Sequence, residues 1–259
     1  MNIIVCVKHV PKCAEAEIRI DSTGKDIERQ GLVYDINEWD DYAVEEAVRI
    51  KEKFGGTVTV VTVGPEEANS TLRKCLARGA DNAIRVYDPK LIGSDPYVIA
   101  KVLYKVIKNL QFDLILTGVM AEDDGSAIVG PVLAEFLKIP HATIEFKDQK
   151  VAIVHRELEG GLMEVVEVKL PALFTIQTGI NEPRYVSILG IRRAMQKEIK
   201  VLGLKDLGLD ESEVGYAGSW TMIDKLFIPP AEKVCQYLKG SPEEVATQIL
   251  GILKSRGLL

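Results

Sequence analysis

Mainly apolar, β-branched runs alternate with segments of helical periodicity along the first half of the chain, and this alternation limits the possible folds. The strongest runs occupy residues 2–8, 57–63 and 114–116. Each run is followed by a turn and then by a helical pattern. Runs without polar alternation are typical of parallel strands covered on both faces, with helices as right-handed crossovers. The sequence therefore predicts an α/β fold with a parallel, doubly wound sheet.

The pattern changes after residue 140. Two alternating runs, residues 150–157 and 163–169, flank a Glu-Gly-Gly turn and predict an added antiparallel hairpin. Residues 203–230 are rich in glycine, proline and acidic residues, which indicates an extended arm that needs another surface to lie on. We expect an α/β ligand-binding domain over residues 1–200, followed by an arm and a last amphipathic helix over residues 201–259.

Charge and composition argue against several functions. The net charge is −6, and the one short basic cluster, around Arg192 and Arg193, is typical of a solvated helix face, so we expect no nucleic-acid partner. No apolar run approaches the roughly 20 residues that span a bilayer, so we expect no membrane insertion. The four cysteines form no CxxC pair and the three histidines lie far apart, which predicts no metal site and reduced thiols in the cytoplasm.

The candidate ligand site is the stretch over residues 114–131. A strand ends at Gly118, an acidic turn follows, and a helix begins, which is how open α/β sheets present backbone amides to an anion. The amides of residues 125–129 would bind a phosphate. Asp123 and Asp124 oppose this interpretation because they are negative, and their alternative role is to cap the helix. The stretch matches neither GxxxxGK[ST] nor GxGxxG.

Catalytic groups are not evident from the sequence. It has no GxSxG elbow and no carboxylate pair that stands out from surface charge. His9 and Cys13 follow the first strand, at the edge where such sheets bind ligands. Either could contact a ligand, but a surface histidine and an inert thiol are the simpler interpretations.

Several segments spread over nearly the whole chain resemble the β subunit of electron transfer flavoproteins. They are residues 5–11 (VCVKHVP), 41–47 (DYAVEEA), 79–81 (GAD), 117–130, 170–172 (LPA) and 181–185 (NEPRY). The resemblance implies a Rossmann-like sheet of the adenine nucleotide α-hydrolase type. It implies a heterodimer with an α subunit that carries FAD. The heterodimer would accept electrons from acyl-CoA or other flavin dehydrogenases, or from NADH, and pass them to a quinone oxidoreductase or another acceptor.

The resemblance also assigns site residues. The nucleotide contacts would be Cys6, Asn37, Val63, Ala121, Asp124, Gly125, Ser126, Ala127, Ile128 and Val129. A loop near the flavin would contain His9, Val10 and Cys13. Dehydrogenases would dock on Ile188, Leu189, Ile191, Arg192 and Arg193. Polar side chains common in the family are replaced here by Val119, Met120 and Ile128, so backbone amides must provide more of the binding.

The family β subunit binds either a structural AMP or, in electron-bifurcating members, a second FAD. Residues 10–11, 126–127 and 129–131, and the arm around 214–219 and 229–230, look more like the bifurcating branch, which favours FAD in this subunit. The alternatives are a subunit of a bifurcating, NADH-oxidising enzyme, a nucleotide-binding module of the universal-stress kind, and an adenylate-transferring enzyme. The last should have a glycine-rich loop after the first strand, and this chain has none.

Overall fold

The computed structural model describes residues 1–12, 16–143, 151–229 and 235–259. Contacts group them into two compact units, Met1–Asp224 and Lys225–Leu259. The sequence suggested a boundary at residue 200, whereas the contacts divide the chain after Asp224. No helix in the described part of the chain is long and apolar enough to cross a membrane.

The regular elements alternate along the first unit. The strands are β1 (Asn2–Cys6), β2 (His9–Pro11), β3 (Tyr34–Ile36), β4 (Thr57–Val63), β5 (Asn82–Val86), β6 (Leu114–Gly118), β7 (His141–Thr143), β8 (Val151–Glu157), β9 (Met163–Lys169), β10 (Ala172–Ile176) and β11 (Ile199–Leu202). The α-helices are α1 (Glu38–Phe54), α2 (Asn69–Arg78), α3 (Pro96–Ile107), α4 (Val129–Leu137), α5 (Ile188–Gln196), α6 (Leu204–Leu207), α7 (Gly215–Gly218) and, in the second unit, α8 (Pro242–Ser255).

Seven of these strands form one sheet in the order β11-β5-β4-β1-β6-β10-β7, and every neighbouring pair is parallel. β1 lies between β4 and β6 in the middle of the sheet, and helices cover both faces there, so its side chains are buried on both faces. Ile3 and Val5 join the core that α1 and α2 cover, while Ile4 and Cys6 join the core beneath α3 and α4. This arrangement confirms the predicted parallel, doubly wound sheet.

Antiparallel pairing among the described residues is confined to two small ribbons and one isolated bridge between Ile20 and Ile27. β8 and β9 pair as the sequence predicted. β2 pairs with β3, with His9 opposite Ile36, so residues expected to leave β1 as a plain loop instead form a short strand. Cys13 lies outside the described residues.

The beginning of the predicted arm folds onto the sheet. β11 extends the sheet edge beside β5, and the short helices α6 and α7 follow. Leu204, Leu207, Leu209 and Val214 are buried in the core beneath α3. Their apolar spacing is visible in the sequence, but the surrounding glycines and acidic residues suggested an exposed segment.

Candidate functional site

A cleft opens at the carboxyl ends of β1, β4 and β6, where an open parallel sheet binds ligands. Its empty volume is about 830 Å³, which includes the open side. The lining includes nine of the ten expected nucleotide contacts, namely Cys6, Asn37, Val63, Ala121, Asp124, Ser126, Ala127, Ile128 and Val129. Gly125 belongs to the same turn but not to the lining.

A buried carboxylate joins the ends of β1 and β6. Asp40, near the start of α1, accepts hydrogen bonds from the amides of Lys8 at 2.7 Å and Gly118 at 2.8 Å. Burial raises the pKa of Asp40 to about 7, although these amide donors oppose the rise. A Cβ atom at Gly118 would lie 2.5 Å from Asp40 Oδ1, so this close approach requires glycine. Sequence reasoning missed Asp40 as a site residue.

Asn37 fixes the turn after β6. It occupies the N-cap position of α1, but its side chain makes no capping hydrogen bond. Its Nδ2 instead donates to the carbonyl of Met120 at 2.9 Å, and its Oδ1 accepts from the amide of Glu122 at 3.0 Å. Asn37 is 1% exposed, so both interactions are shielded from water. The side chain therefore shapes the cleft by holding this turn against α1.

The acidic turn is paired with a lysine. Lys8 Nζ lies 2.6 Å from Asp123 Oδ1 and 2.8 Å from Asp124 Oδ2. Asp124 Oδ1 also accepts from the amide and the hydroxyl of Ser126, both at 2.9 Å. Burial alone would raise the pKa of Asp124, but Lys8 and Ser126 outweigh it and hold the pKa below its usual value. The alternative prediction that these aspartates cap the helix is wrong, because α4 begins later, after Ile128.

The N-terminus of α4 forms one wall of the cleft. Ala127 adopts a left-handed conformation, with φ of 53°, which turns the chain into the helix. The amides of Ile128, Val129 and Gly130 donate no hydrogen bond to any described residue. Such first-turn amides need an outside acceptor, and the helix dipole favours an anion there. A Cβ at Gly130 would lie 2.7 Å from Thr175 Cγ2, so glycine allows α4 to approach the sheet this closely.

Apolar groups form another part of the lining. Val63 at the end of β4, Ile99 and Leu103 on α3, and the thiol of Cys6 border the cleft. Burial raises the pKa of the Cys6 thiol, which keeps it neutral. Together with the free amides of α4, the cleft can hold a ligand with one flat apolar part and one anionic part.

His9 and Val10 do not line this cleft. The His9 ring stacks on Tyr34 with 5.0 Å between ring centroids, and its Nδ1 lies 2.8 Å from Thr71 Oγ1. Val10 is fully buried. These two members of the predicted flavin-proximal loop therefore brace β2 within the protein. The third member, Cys13, is outside the described residues.

The predicted docking residues share the outer face of α5. Ile188 is 72% exposed, Leu189 61% and Ile191 48%, and Arg192 and Arg193 are also exposed. The other face of the helix packs on α2. Gly190 lies so close to the carbonyl of Ala77 that a larger residue would not fit there. Arg73 of α2 also binds the carbonyls of Ala194 and Lys197 at the end of α5. The packing of α5 against α2 thus leaves the apolar side chains on its other face exposed.

The segment before α5 is fastened to α1. The Arg184 guanidinium contacts Glu45 at 3.0 Å and Glu52 at 2.6 Å, and these partners raise its pKa. Asn181 Nδ2 donates to the carbonyl of Tyr42 at 3.1 Å and to Glu46 at 3.0 Å. The NEPRY motif therefore positions α5 rather than contacting the cleft.

Sequence reasoning also missed Lys8 as a site residue. A charged side chain at the end of a mainly apolar run was the available signal, because that position falls at the ligand-binding edge of a parallel sheet. Its pairing with Asp123 and Asp124 joins residues more than one hundred positions apart, and no local pattern reveals such a contact.

The fold and the cleft define a doubly wound, parallel α/β protein with a candidate ligand site at the ends of its first and sixth strands. Residues 25–207 match the family model described as the electron transfer flavoprotein domain. The chain is 40% identical to the electron transfer flavoprotein subunit beta of Methylophilus methylotrophus, over 98% of both chains. The chain belongs to the electron transfer flavoprotein family.

Two further relatives have similar coverage. The electron transfer flavoprotein subunit beta of Bacillus subtilis (strain 168) is 42% identical over 98% of both chains. Subunit CarD of the caffeyl-CoA reductase-Etf complex of Acetobacterium woodii is 37% identical over the full length of both chains. The similarity thus extends beyond the residues that the family model matches and includes both β1 and the second unit.

Proposed function

We propose that this chain is the β subunit of a heterodimeric electron transfer flavoprotein and that its cleft holds an adenine nucleotide. The heterodimer would work in the cytoplasm, moving electrons from flavin dehydrogenases to a quinone oxidoreductase or another acceptor. The observation that carries the proposal is the convergence of nine expected nucleotide contacts on one cleft, in a chain that matches β subunits along its whole length. A universal-stress-like module has less support, because it would not need the segment after Gly203.

The residues present fit an adenine nucleotide. The free amides of Ile128, Val129 and Gly130 suit a phosphate. Val63 and Leu103 offer an apolar surface to a flat ring. These backbone donors supply the binding that the absent polar side chains at positions 119, 120 and 128 would otherwise provide. When the nucleotide is FAD, its flavin supplies reversible one- and two-electron transfer.

Between the two nucleotides, we favour FAD over AMP. The support is the sequence around the α4 N-terminus and the arm, which is closer to the bifurcating branch, together with a relative named as part of a reductase-Etf complex. FAD here would make NADH-driven electron bifurcation a second candidate activity.

The test is to purify the heterodimer, release its nucleotides by denaturation and count them by chromatography. Two FAD per heterodimer is the expected result. One FAD plus one AMP would reject FAD in this subunit while keeping the nucleotide site. A single FAD with no other adenine nucleotide would reject the assignment of the cleft.

The α subunit would cover residues 201–259, and chiefly the second unit. None of the described residues from Lys225 to Leu259 is buried, and Phe227, Ile249 and Leu250 are among the exposed apolar side chains. A segment of this size cannot stabilise itself through its own core.

Acyl-CoA or other flavin dehydrogenases would dock on the exposed face of α5. Its apolar side chains beside two arginines suit a small, transient interface. In the double variant Ile188→Ala and Leu189→Ala, we expect slower reduction of the heterodimer by its dehydrogenase, measured by flavin bleaching. Val165→Ala removes an equally exposed apolar side chain from β9 and should have no effect. Unchanged reduction in the double variant would reject this docking surface.

A further inference from the structure

The acidic turn beside the proposed phosphate site poses an electrostatic problem. Asp124 lines the cleft, and Asp123 precedes it directly. Two carboxylates this close to the first turn of α4 would repel a phosphate and cancel the favourable field of the helix dipole. The turn can accept an anion only if something neutralises these charges.

Lys8 is placed to do this. Its ammonium group lies within 2.8 Å of an oxygen of each aspartate, so one cation bridges both. The two carboxylates raise the pKa of Lys8 against the effect of its burial, which keeps the side chain charged. Lys8 also lines the cleft itself. Its backbone is fixed as well, because its amide donates to the buried carboxylate of Asp40.

We infer that Lys8 is a positioning residue for the nucleotide phosphate, which acts by neutralising Asp123 and Asp124 and holding their turn in place. This inference rests on the proposed nucleotide function. The recognised chemistry is an adenosine 5′-phosphate group, which AMP and FAD share. Lys8 acts through the aspartates, so its effect depends on their charge.

The experiment uses the purified heterodimer, freed of nucleotide at this site and titrated separately with AMP and with FAD. Lys8→Met leaves both aspartates unpaired and should weaken binding of either ligand by about tenfold or more. Lys8→Arg keeps the cation and should bind nearly as the unmodified protein does. Lys138→Met removes an exposed ion pair at the far end of α4 and serves as the matched control, with no expected change.

The discriminating variant combines Lys8→Met with Asp123→Asn and Asp124→Asn. Asparagine keeps the Oδ1 acceptor that Ser126 uses but carries no charge. Binding should return to within a few-fold of the unmodified protein. If binding stays weak in a triple variant that still forms the heterodimer, Lys8 contacts the ligand directly and the inference is wrong.

Two further outcomes separate this inference from the proposed function. Should the unmodified heterodimer bind neither AMP nor FAD at this site, the nucleotide assignment itself fails. Binding by the unmodified protein and equal binding by Lys8→Met would overturn only the role of Lys8. If Lys8→Met fails to assemble, the pair Asp123→Asn and Asp124→Asn with Lys8 retained provides the test. That variant should bind AMP more tightly than the unmodified protein, and weaker binding would contradict the inference.

Discussion

The loops at the cleft and the unit Lys225–Leu259 differ in how far contacts within the described chain hold them in place. At the cleft, Asp40, Asn37 and Lys8 use partners from their own chain to fix the turn after β6. In the second unit, α8 has a well-formed N-terminus, where Ser241 and Glu244 make reciprocal capping bonds, but it has no buried residue. The contacts that fix the candidate cleft are thus made within this chain, whereas none of the described residues of the second unit is buried.

The largest expected effect is at the second unit. A chain ending at Asp224 should keep its sheet, because both apolar cores lie before that residue. It should lose co-purification with the α subunit, since the exposed apolar side chains that we assign to the interface are gone. Far-UV circular dichroism provides the folding control. A truncated chain that still forms the heterodimer would show that the second unit is not the main contact.

Within the first unit, the largest effect should come from Arg184. Arg184→Ala leaves the Glu45 carboxylate unpaired, with its side chain only 3% exposed, and should lower the free energy of unfolding by about 3 kcal/mol. Urea titration measures this loss. Arg29→Ala breaks an exposed pair with Asp26 and should change little. Equal losses in both variants would mean that the fastening of the NEPRY segment is no stronger than an ordinary surface contact.

A smaller effect is expected at Asn37. Asn37→Ala leaves the Met120 carbonyl and the Glu122 amide without their partner, at a cost of about 2 kcal/mol. The same variant should bind AMP more weakly because the turn is no longer fixed. Asn109→Ala removes an exposed bond to a helix carbonyl and is the matched control. If Asn37→Ala loses AMP affinity without loss of stability, Asn37 contacts the ligand rather than the turn.

The effect that is smallest per pH unit is a pH dependence at Asp40. The pKa of Asp40 is about 7 in the folded protein, above its value of about 3.9 in the unfolded chain. At pH values between these two, the folded state therefore binds more protons than the unfolded state. Its contribution to stability therefore declines as pH rises from about 4 to about 7. The slope is about 1.4 kcal/mol per pH unit at most.

Asp40→Asn tests this dependence by removing the titrating group. Urea unfolding of the variant and the unmodified chain between pH 5 and pH 8 measures the difference in slope. The unmodified chain should lose stability relative to the variant as pH rises through 7. Parallel curves would show that the amides of Lys8 and Gly118 hold Asp40 ionised throughout.

The parallel sheet was predictable because local patterns dictate it. The runs ending at Val63 and Gly118 are long and apolar enough to be strands buried in a parallel sheet. The position of Asn37 at a helix start was also readable from the sequence, but its use by a turn more than eighty residues away was not. The contacts of Lys8 with Asp123 and Asp124 also depend on long-range packing, so the sequence did not predict them.

Residues 203–218 show the opposite limitation. Their glycines and acidic side chains suggested an exposed arm, but Leu204 and Val214 are buried against α3 and the adjoining sheet edge. Local composition does not reveal whether the sheet has an uncovered surface that can bury the apolar side chains of such a segment. The strand-turn-helix pattern located the candidate site but left helix capping and phosphate binding both open, and the family resemblance then favoured nucleotide binding.

The proposed phosphate site depends most on the amides of Ile128, Val129 and Gly130, and amide hydrogen exchange measures them directly. The heterodimer is compared before and after its nucleotides are removed. We predict that these amides lose protection on removal, whereas the Val98 amide, already held by Asp95 at 3.0 Å, keeps its exchange rate. Unchanged exchange at all three amides, with protection lost elsewhere, would contradict the proposed nucleotide site.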